Sequence, residues 1–212
     1  MLMENWLDYV VAYKEIDPLV QAAIMHVQFE MIHPFLDGNG RMGRLLIPLF
    51  LYKRGVLHRP IFYMSAYLEA NRQTYYARLN RVHDENAWDE WISFFLRGVA
   101  EQAIANREKV EAAIELYDKL KLEIRQVTHS GYSQLLLDAI FEMPTYSMPK
   151  LIERVQAKDA SCKTSTLRSV LQRIAASGIV QCTRVAQGRS AHIYRLGRLF
   201  DIMYGKYSET HC

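Results

Sequence analysis

His-Pro-Phe-Leu-Asp-Gly-Asn-Gly-Arg-Met-Gly-Arg, residues 33–44, lies between two apolar runs. The run before it, residues 19–32, has apolar side chains at near-helical spacing, which predicts a helix. Pro34 predicts the end of that helix, because the residue before a proline is pushed away from the α region. The run after it, residues 45–52, has the length of a buried helix. The sequence therefore predicts a helix–loop–helix unit. Its glycine loop leads into the N-terminus of the second helix, where free backbone N–H groups favour an anion such as phosphate.

The glycines and arginines of the loop suit a phosphate group. Gly38 and Gly40 permit a positive φ and allow a bulky anion to approach the backbone closely. Arg41 and Arg44 are three positions apart, so on a helix they share a face and can both bind phosphate oxygens. These four residues predict a phosphate site.

Two titratable groups belong to the same loop. Asp37 supplies hard carboxylate oxygens of the kind that magnesium takes when substrate phosphates also bind it. His33 carries an imidazole, which can accept a proton at cellular pH. Together with the glycines and arginines, they predict a nucleotide-phosphate site with a general base at its mouth.

Two other interpretations fit the loop less well. Gly38, Gly40 and Gly43 spell the dinucleotide pattern G-x-G-x-x-G, but that pattern needs a preceding strand and an acidic residue about 20 positions later. Here a helix is predicted before the glycines, and residues 57–60 contain no acid. A glycine-rich helix cap with solvated charges is the plain structural alternative. It does not account for a histidine, an aspartate and two arginines in one loop.

The loop resembles the signature of the Fic family, whose pattern runs H-x-F-x-D/E-G-N-G-R-x-x-R. Every fixed position of that pattern is present in this chain. These positions are His33, Phe35, Asp37, Gly38, Asn39, Gly40, Arg41 and Arg44. The resemblance extends from the helix that begins at Leu19 to about Val99.

The resemblance implies a helical domain that transfers AMP from ATP to a hydroxyl of a target protein. His33 is then the general base that takes the proton from the attacking Tyr, Ser or Thr, and Asp37 holds Mg²⁺ against the α- and β-phosphates. The backbone of residues 38–40 and the Asn39 amide form an anion cradle, and two arginines bind the outer phosphates. The residues expected to bind ATP are Asp37, Gly38, Asn39, Gly40, Arg41, Gly43 and Arg44.

A tyrosine pair, Tyr75 and Tyr76, lies on the helix predicted for residues 68–82. The two rings could stack on a nucleotide base, or they could pack in the helical core as aromatic residues often do. The family resemblance favours the first interpretation, because a tyrosine pair follows the motif at a similar distance there. We therefore add both tyrosines to the predicted ATP site.

Two further features of Fic enzymes are not visible in this sequence. One is a β-hairpin flap before the motif that aligns the hydroxyl of the target. The other is an inhibitory helix with the pattern S/T-x-x-x-E-G/N, whose glutamate pairs with the second motif arginine. The residues before His33 are predicted to be helical instead. The chain therefore resembles the C-terminal part of a larger Fic protein, and nucleotide binding is the firmer expectation.

Composition indicates an ordinary globular protein. Half of the 212 residues are hydrophobic, 23% are charged, and the formal net charge of +3 does not by itself demand a nucleic-acid partner. The cysteines, Cys162, Cys182 and Cys212, have no C-x-x-C spacing and indicate free thiols in a reducing compartment. No apolar run reaches the roughly 18 residues of a membrane span, and no signal peptide is evident. We therefore expect a cytoplasmic protein.

The chain is expected to be mainly α, with a helical Fic-type core over residues 1–128 and a winged helix-turn-helix domain over residues 132–205. After the linker candidate Thr-His-Ser-Gly, three predicted helices precede two strands, residues 179–185 and 191–196, in an order that resembles a winged helix-turn-helix. Its basic and hydroxyl side chains could bind DNA phosphates. They are Lys163, Thr164, Ser165, Arg168, Arg173, Arg184, Arg189 and Arg195.

The expected partners are ATP with Mg²⁺ and a target protein with an accessible hydroxyl. A second hypothesis within the enzyme class is that the same site uses another phosphate donor. The alternative from a different functional class is a DNA-binding transcriptional regulator, or a nucleotide sensor, in which the Fic site is weak or inactive. The positive face of the C-terminal module is equally compatible with protein contacts, including those of a homodimer.

Overall fold

A computed structural model describes residues 1–12, 15–185 and 191–205 of the chain. It contains two compact units, Met1–Arg107 and Glu108–Cys212. The division falls within a single long helix, Trp88–Thr128. The predicted domains, 1–128 and 132–205, stay a prediction, because a compact group of contacts is not by itself a piece that folds independently.

The first unit consists of helices alone in its described part. They are α1 (Leu2–Ala12), α2 (Pro18–Ile32), α3 (Asn39–Lys53), α4 (Ser65–Ala70), α5 (Arg72–Glu85) and the first part of α6 (Trp88–Thr128). The helix predicted for residues 68–82 is divided in two at Asn71, whose side-chain amide donates to the Tyr67 carbonyl at 2.9 Å. The prediction of one helix there is wrong, because apolar spacing continues across the break.

Helix α2 begins and ends where the sequence predicts. Asp17 caps its N-terminus, since one carboxylate oxygen accepts from the N–H groups of Leu19 at 2.9 Å and Val20 at 3.3 Å. Pro18 occupies the first helical position, where a missing N–H costs nothing. At the other end His33 adopts the left-handed conformation, with φ of 51°, and its N–H donates to the Phe29 carbonyl.

The core of the first unit surrounds α2. Two indole N–H groups hold this helix, because Trp6 donates to the Met25 carbonyl at 3.0 Å and Trp91 donates to the Ala23 carbonyl at 2.9 Å. Buried apolar residues of α2, α3 and α6 fill the space between them. Among these are Ala22, Val27, Phe29, Ile47, Phe50, Leu51 and Phe95. The loop that follows α2 is therefore attached to a well-packed helix.

Helix α3 begins inside the motif, at Asn39, and is longer than the apolar run that predicted it. It continues through the buried Pro48, which lacks the N–H that would otherwise bond to the Arg44 carbonyl. Its C-terminus is a Schellman motif, in which Gly55 has φ of 74° and Val56 donates to the Leu51 carbonyl at 2.9 Å. The predicted glycine cap is confirmed.

The second unit combines helices with a small sheet. After the rest of α6 it contains α7 (Ser133–Glu142), β1 (Thr145–Ser147), α8 (Met148–Lys158), α9 (Thr164–Ala176), β2 (Gln181–Arg184), β3 (Ile193–Arg195) and α10 (Gly197–Tyr204). The sheet is antiparallel in the order β1-β3-β2, and Tyr194 pairs with both Tyr146 and Cys182. The predicted turn between the last two strands, residues 186–190, lies outside the described residues.

A separate core supports the second unit. Its fully buried members include Leu120, Ile124, Leu136, Ile140, Leu151, Leu167 and Ile174. The chain is mainly α, as the sequence predicts, and the winged helix-turn-helix assignment stays a prediction. Among the described residues, no helix is both long and apolar enough to cross a membrane.

Candidate functional site

Asn39 holds the loop between α2 and α3 in place. Its side chain is buried, and it makes two hydrogen bonds to the backbone of Phe35: the amide oxygen accepts from the N–H at 2.9 Å, and the amide nitrogen donates to the carbonyl at 2.6 Å. The amide supplies both an acceptor and a donor, whereas an ionised aspartate only accepts and would lose one of the two bonds. Gly38, just before it, has φ of 84°.

The N-terminus of α3 is open. No side chain caps it, and its first turn contains no acidic residue. Within the described part of the chain, the N–H groups of Asn39, Gly40 and Arg41 make no hydrogen bond, and the first helical bond runs from Met42 to the Gly38 carbonyl. Three free N–H groups at the positive end of a helix favour a bound anion.

His33 precedes the start of α3 by six residues and is exposed. Its Nδ1 lies 3.2 Å from the Glu30 carbonyl. Because a carbonyl oxygen only accepts, this contact requires the proton on Nδ1 and leaves Nε2 as a proton acceptor. The backbone of α2 thereby selects the tautomer that a general base needs.

The two motif arginines differ in their surroundings. Arg41 forms an ion pair with Asp37 at 3.3 Å, and both side chains are largely exposed, so the pair contributes at most about 0.5 kcal/mol. Asp37 also accepts from the Gly38 N–H at 2.7 Å. Arg44 is half-buried and has no ion pair or hydrogen bond among the described residues. Its guanidinium is therefore available to an anion.

Gly43 allows α2 and α3 to approach closely. A Cβ at this position would lie 2.2 Å from Oε1 of Glu30 and 3.2 Å from Cε1 of His26. Burial raises the pKa of Glu30, although the charges of Arg44 and His33 oppose the shift. The structure gives Gly43 a packing role, and its predicted contact with ATP stays a prediction. Gly40 lies in the first turn, where an added Cβ would approach Arg44 to 3.3 Å.

Tyr75 is a core residue. Its hydroxyl lies 3.0 Å from Nε2 of His26, and its ring packs against Trp91 with the ring centres 5.9 Å apart. Burial lowers the pKa of His26 to about 4, so this histidine is neutral at pH 7. Burial also raises the pKa of Tyr75 well above its usual value. Tyr76 is half-exposed, at 50%, and the stacking role predicted for the pair stays a prediction.

A cavity of about 200 Å³ brings part of the predicted site together. It is lined by Arg44, Ser65, Leu68, Glu69, Arg72, Tyr75 and Tyr76. The Arg72 guanidinium lies 5.9 Å from the centre of the Tyr76 ring. Sequence reasoning missed Glu69 and Arg72, although the four-residue step from Arg72 to Tyr76 on a predicted helix could have indicated that pair.

The basic residues predicted to bind DNA fall into two groups. Lys163, Arg168 and Arg184 are exposed, as are Thr164 and Ser165. Two others have partners within the protein: Arg173 donates to the Thr128 carbonyl at 2.8 Å, and the Arg195 guanidinium lies 5.3 Å from the Phe200 ring centre. Arg189 lies outside the described residues.

Comparisons with known proteins place the motif in a family. Residues 1–51 match the Fic/DOC family. A probable protein adenylyltransferase of Aquifex aeolicus is 41% identical over 69 residues, which cover 32% of this chain and 21% of that protein. A protein adenylyltransferase of Caenorhabditis elegans is 35% identical over 121 residues, which cover 57% of this chain and 20% of that protein. The chain thus spans about a fifth of the length of these curated relatives.

A solved structure was also matched. The match to the crystal structure of a Fic family protein from Desulfovibrio desulfuricans G20 covers 92% of this chain and 54% of that protein's chain. The sequence identity is 26%, and the TM-score is 0.48. The motif, the match over residues 1–51 and the similarity to the adenylyltransferase relatives support a Fic domain in this part of the chain.

Proposed function

We propose that the first unit transfers AMP from Mg-ATP to a Tyr, Ser or Thr hydroxyl of a target protein. One observation carries the proposal: the open N-terminus of α3, with three free N–H groups, lies beside a histidine whose Nδ1 is bonded to a carbonyl. Nucleotidyl transfer needs an anion-binding site for the phosphates and a proton acceptor for the attacking hydroxyl. The matched relatives carry the name protein adenylyltransferase.

His33 supplies the base in this mechanism. Nε2 takes the proton of the attacking hydroxyl, and the bond from Nδ1 to the Glu30 carbonyl keeps the ring in the required orientation. The hydroxyl oxygen forms a bond to the α-phosphorus of ATP, the bond to the β-phosphate oxygen breaks, and pyrophosphate leaves.

Backbone and arginine donors bind the phosphates. The N–H groups at the start of α3 bind phosphate oxygens, and the Asn39 side chain, bonded to Phe35, keeps that loop rigid. Arg44 binds the outer phosphates in competition with the nearby Glu30 carboxyl, with which it forms no ion pair among the described residues. Arg41 must first leave Asp37, which costs little because the pair is exposed.

Asp37 fits the magnesium that this reaction implies. The described residues contain no group of three or more His, Cys, Asp or Glu that could hold a metal alone. A single exposed carboxylate suits an ion that keeps several waters and shares its ligands with substrate phosphates. When bound, Mg²⁺ would neutralise charge on the phosphates.

Intact-mass analysis after incubation with Mg-ATP tests the proposal, because a protein with a competent site can modify its own hydroxyls. A gain of one AMP, about 329 Da per transfer, is expected in the parent and not in His33→Ala. Binding of ATP should survive in both proteins. A parent that binds no ATP would refute the proposal, and a parent that binds ATP without modifying itself or any added protein would reduce it to a nucleotide-binding site.

DNA binding by the second unit is a second candidate function. It is favoured by one observation: α9 contains no acidic residue, and both Arg168 on the helix and Lys163 at its N-cap are exposed. Fluorescence anisotropy with a duplex oligonucleotide should give an affinity that falls steeply with salt. Arg168→Gln should weaken binding more than Lys119→Gln, which removes one charge from α6. Equal effects of the two variants would count against α9 as the binding surface.

A further inference from the structure

A second cluster of cationic groups lies in the second unit, where α6 ends and α7 begins. A cavity of about 550 Å³ there is lined by Lys121, Arg125 and His129, together with Ser130, Ser133 and Gln134. Among the residues that the structure describes, no aspartate or glutamate lines it. The cavity is of the size that small ligands occupy, and its lining carries charge of one sign only.

The two basic residues of α6 are close together and uncompensated. Lys121 and Arg125 are one helical turn apart, so they project from the same face and repel each other. Neither forms an ion pair with a carboxylate within the described ranges, whereas the neighbouring Glu123 is paired with Arg198 at 2.8 Å. A pair of like charges facing a concave space is destabilising unless an anion accompanies it.

Stabilisation of the helix end does not explain these cations. Basic residues often occupy the last turn of a helix because its final carbonyls need donors. Here neither Lys121 nor Arg125 donates to them among the described residues, and two of the final four carbonyls have other donors: the His129 N–H bonds to the Arg125 carbonyl at 2.9 Å, and Arg173 bonds to the Thr128 carbonyl at 2.8 Å. Lys121, moreover, lies well before the last turn.

His129 adds a third nitrogen group at a cost in backbone energy. It follows α6 in the left-handed conformation, with φ of 46°, where glycine is the usual residue. The conformation costs a non-glycine residue roughly 1 kcal/mol. In exchange, the imidazole lies on the cavity wall next to Ser130, whose hydroxyl oxygen accepts from the Tyr132 N–H at 3.2 Å and so keeps its own proton to donate.

We propose that this cavity is a phosphate-binding site, in which Arg125 and Lys121 supply the charge and His129 and Ser130 supply further donors. A guanidinium can bind two phosphate oxygens at once, and an ammonium on the next turn adds a point charge. The phosphate group could come from a free nucleotide or from a nucleic-acid backbone. The site is built only from residues of the second unit, so it does not depend on the AMP-transfer proposal.

The test measures the NMR signal of the His129 imidazole directly. In the full-length protein at low salt, the Cε1–H signal of His129, identified by its loss in His129→Gln, is recorded by NMR during titration with inorganic phosphate. We expect a saturable shift that chloride at equal ionic strength does not reproduce. Arg125→Gln should weaken phosphate binding at least tenfold, and Lys119→Gln, which removes one charge from the same helix outside the cavity, should leave it unchanged.

Two further arms identify the source of the phosphate. A nucleoside monophosphate that saturates the His129 shift at lower concentration than phosphate indicates a free nucleotide. A duplex oligonucleotide that does so indicates a nucleic-acid backbone. A shift that chloride matches, or that Arg125→Gln and Lys119→Gln reduce equally, would overturn the proposal and leave an ordinary solvated face.

Discussion

The loop after α2 and the loop after α6 both begin with a histidine that ends the preceding helix. His33 and His129 each follow a helix in the left-handed conformation, with φ of 51° and 46°. The N–H of His33 donates to the Phe29 carbonyl at 3.1 Å, and that of His129 donates to the Arg125 carbonyl at 2.9 Å. In both places a short loop then leads into another helix. The shared geometry places an imidazole at the mouth of a donor-rich space.

The surroundings of the two histidines differ, and the difference explains why only one of them is visible in the sequence. After His33, a buried asparagine pins the loop, and glycines bring the next helix close. These requirements are strict, so they leave a recognisable pattern of letters. Near His129, the charge comes from side chains on the preceding helix, which any lysine or arginine can supply. Because the geometry there does not require particular residues, no fixed sequence motif marks the site.

Replacement of each histidine by alanine gives the largest contrast between the loops. His33→Ala should reduce AMP transfer by about 10²–10⁴-fold, the usual contribution of a general base. His129→Ala should leave the transfer rate within about twofold of the parent, as expected of a side chain with no role in the acid–base step. Transfer is measured by intact mass over time with Mg-ATP. A comparable loss in both variants would mean that the two loops are not separate in function.

The buried histidine beneath the first loop should make stability depend on pH. Burial holds the pKa of His26 at about 4 in the folded protein, below the value near 6.5 of the unfolded chain. Between these values the unfolded state binds a proton that the folded state does not. The free energy of unfolding should therefore fall as pH drops from about 6.5 to about 4, by roughly 3 kcal/mol in all.

Urea denaturation between pH 4 and pH 8 measures this dependence. Glu30 acts in the opposite direction, because burial raises its pKa and the folded state then holds a proton more tightly. The contribution of His26 is obtained as the difference between the parent and His26→Asn. His129→Asn, at an exposed histidine, should retain the slope of the parent. A parent whose slope survives in His26→Asn would contradict the assignment.

Glycine to alanine changes compare the packing of the two loops. Gly43→Ala would place a methyl group 2.2 Å from Glu30 Oε1, so we expect a loss of about 1–3 kcal/mol in the free energy of unfolding. Gly131→Ala, two residues after His129, meets nothing within 4 Å and should change it by less than about 0.5 kcal/mol. Chemical denaturation measures both. In a Glu30→Ala background Gly43→Ala should cost less, and an unchanged cost would place the strain elsewhere.

The sequence predicts the fold where local chemistry determines it. Asp17 and Pro18 mark the start of α2, Pro34 its end and Gly55 the end of α3, because caps and prolines act on their own neighbours. The break at Asn71 and the three-residue strand β1 are not predicted. The strand depends on its pairing with β3, a segment distant in the chain that spacing rules do not contain, and the break is hidden because the apolar spacing continues across Asn71.

The same limit applies to the candidate site. The pattern of letters predicts functional roles for His33 and the arginines, but it does not predict that Gly43 makes room for Glu30 or that Tyr75 bonds to His26. Each of those contacts joins side chains from different helices. Arg173 shows the same limit, because the sequence predicts a DNA contact for this basic residue but not its hydrogen bond to the Thr128 carbonyl. A sequence shows which residues are charged, but it does not show which groups they contact.

Replacement of His129 by glycine should change stability only modestly, and it separates the backbone conformation of the residue from the chemistry of its side chain. Glycine adopts the left-handed conformation without strain, so His129→Gly should raise the free energy of unfolding by about 1 kcal/mol. The same change removes the imidazole and should weaken phosphate binding at the α6–α7 cavity. Differential scanning calorimetry and phosphate titration measure the two effects on one protein. If His129 is retained for its side chain, the His129→Gly variant should gain stability and lose phosphate binding. A loss of stability would show instead that the imidazole supports the fold, and the likeness between the two loops would then end at their backbone.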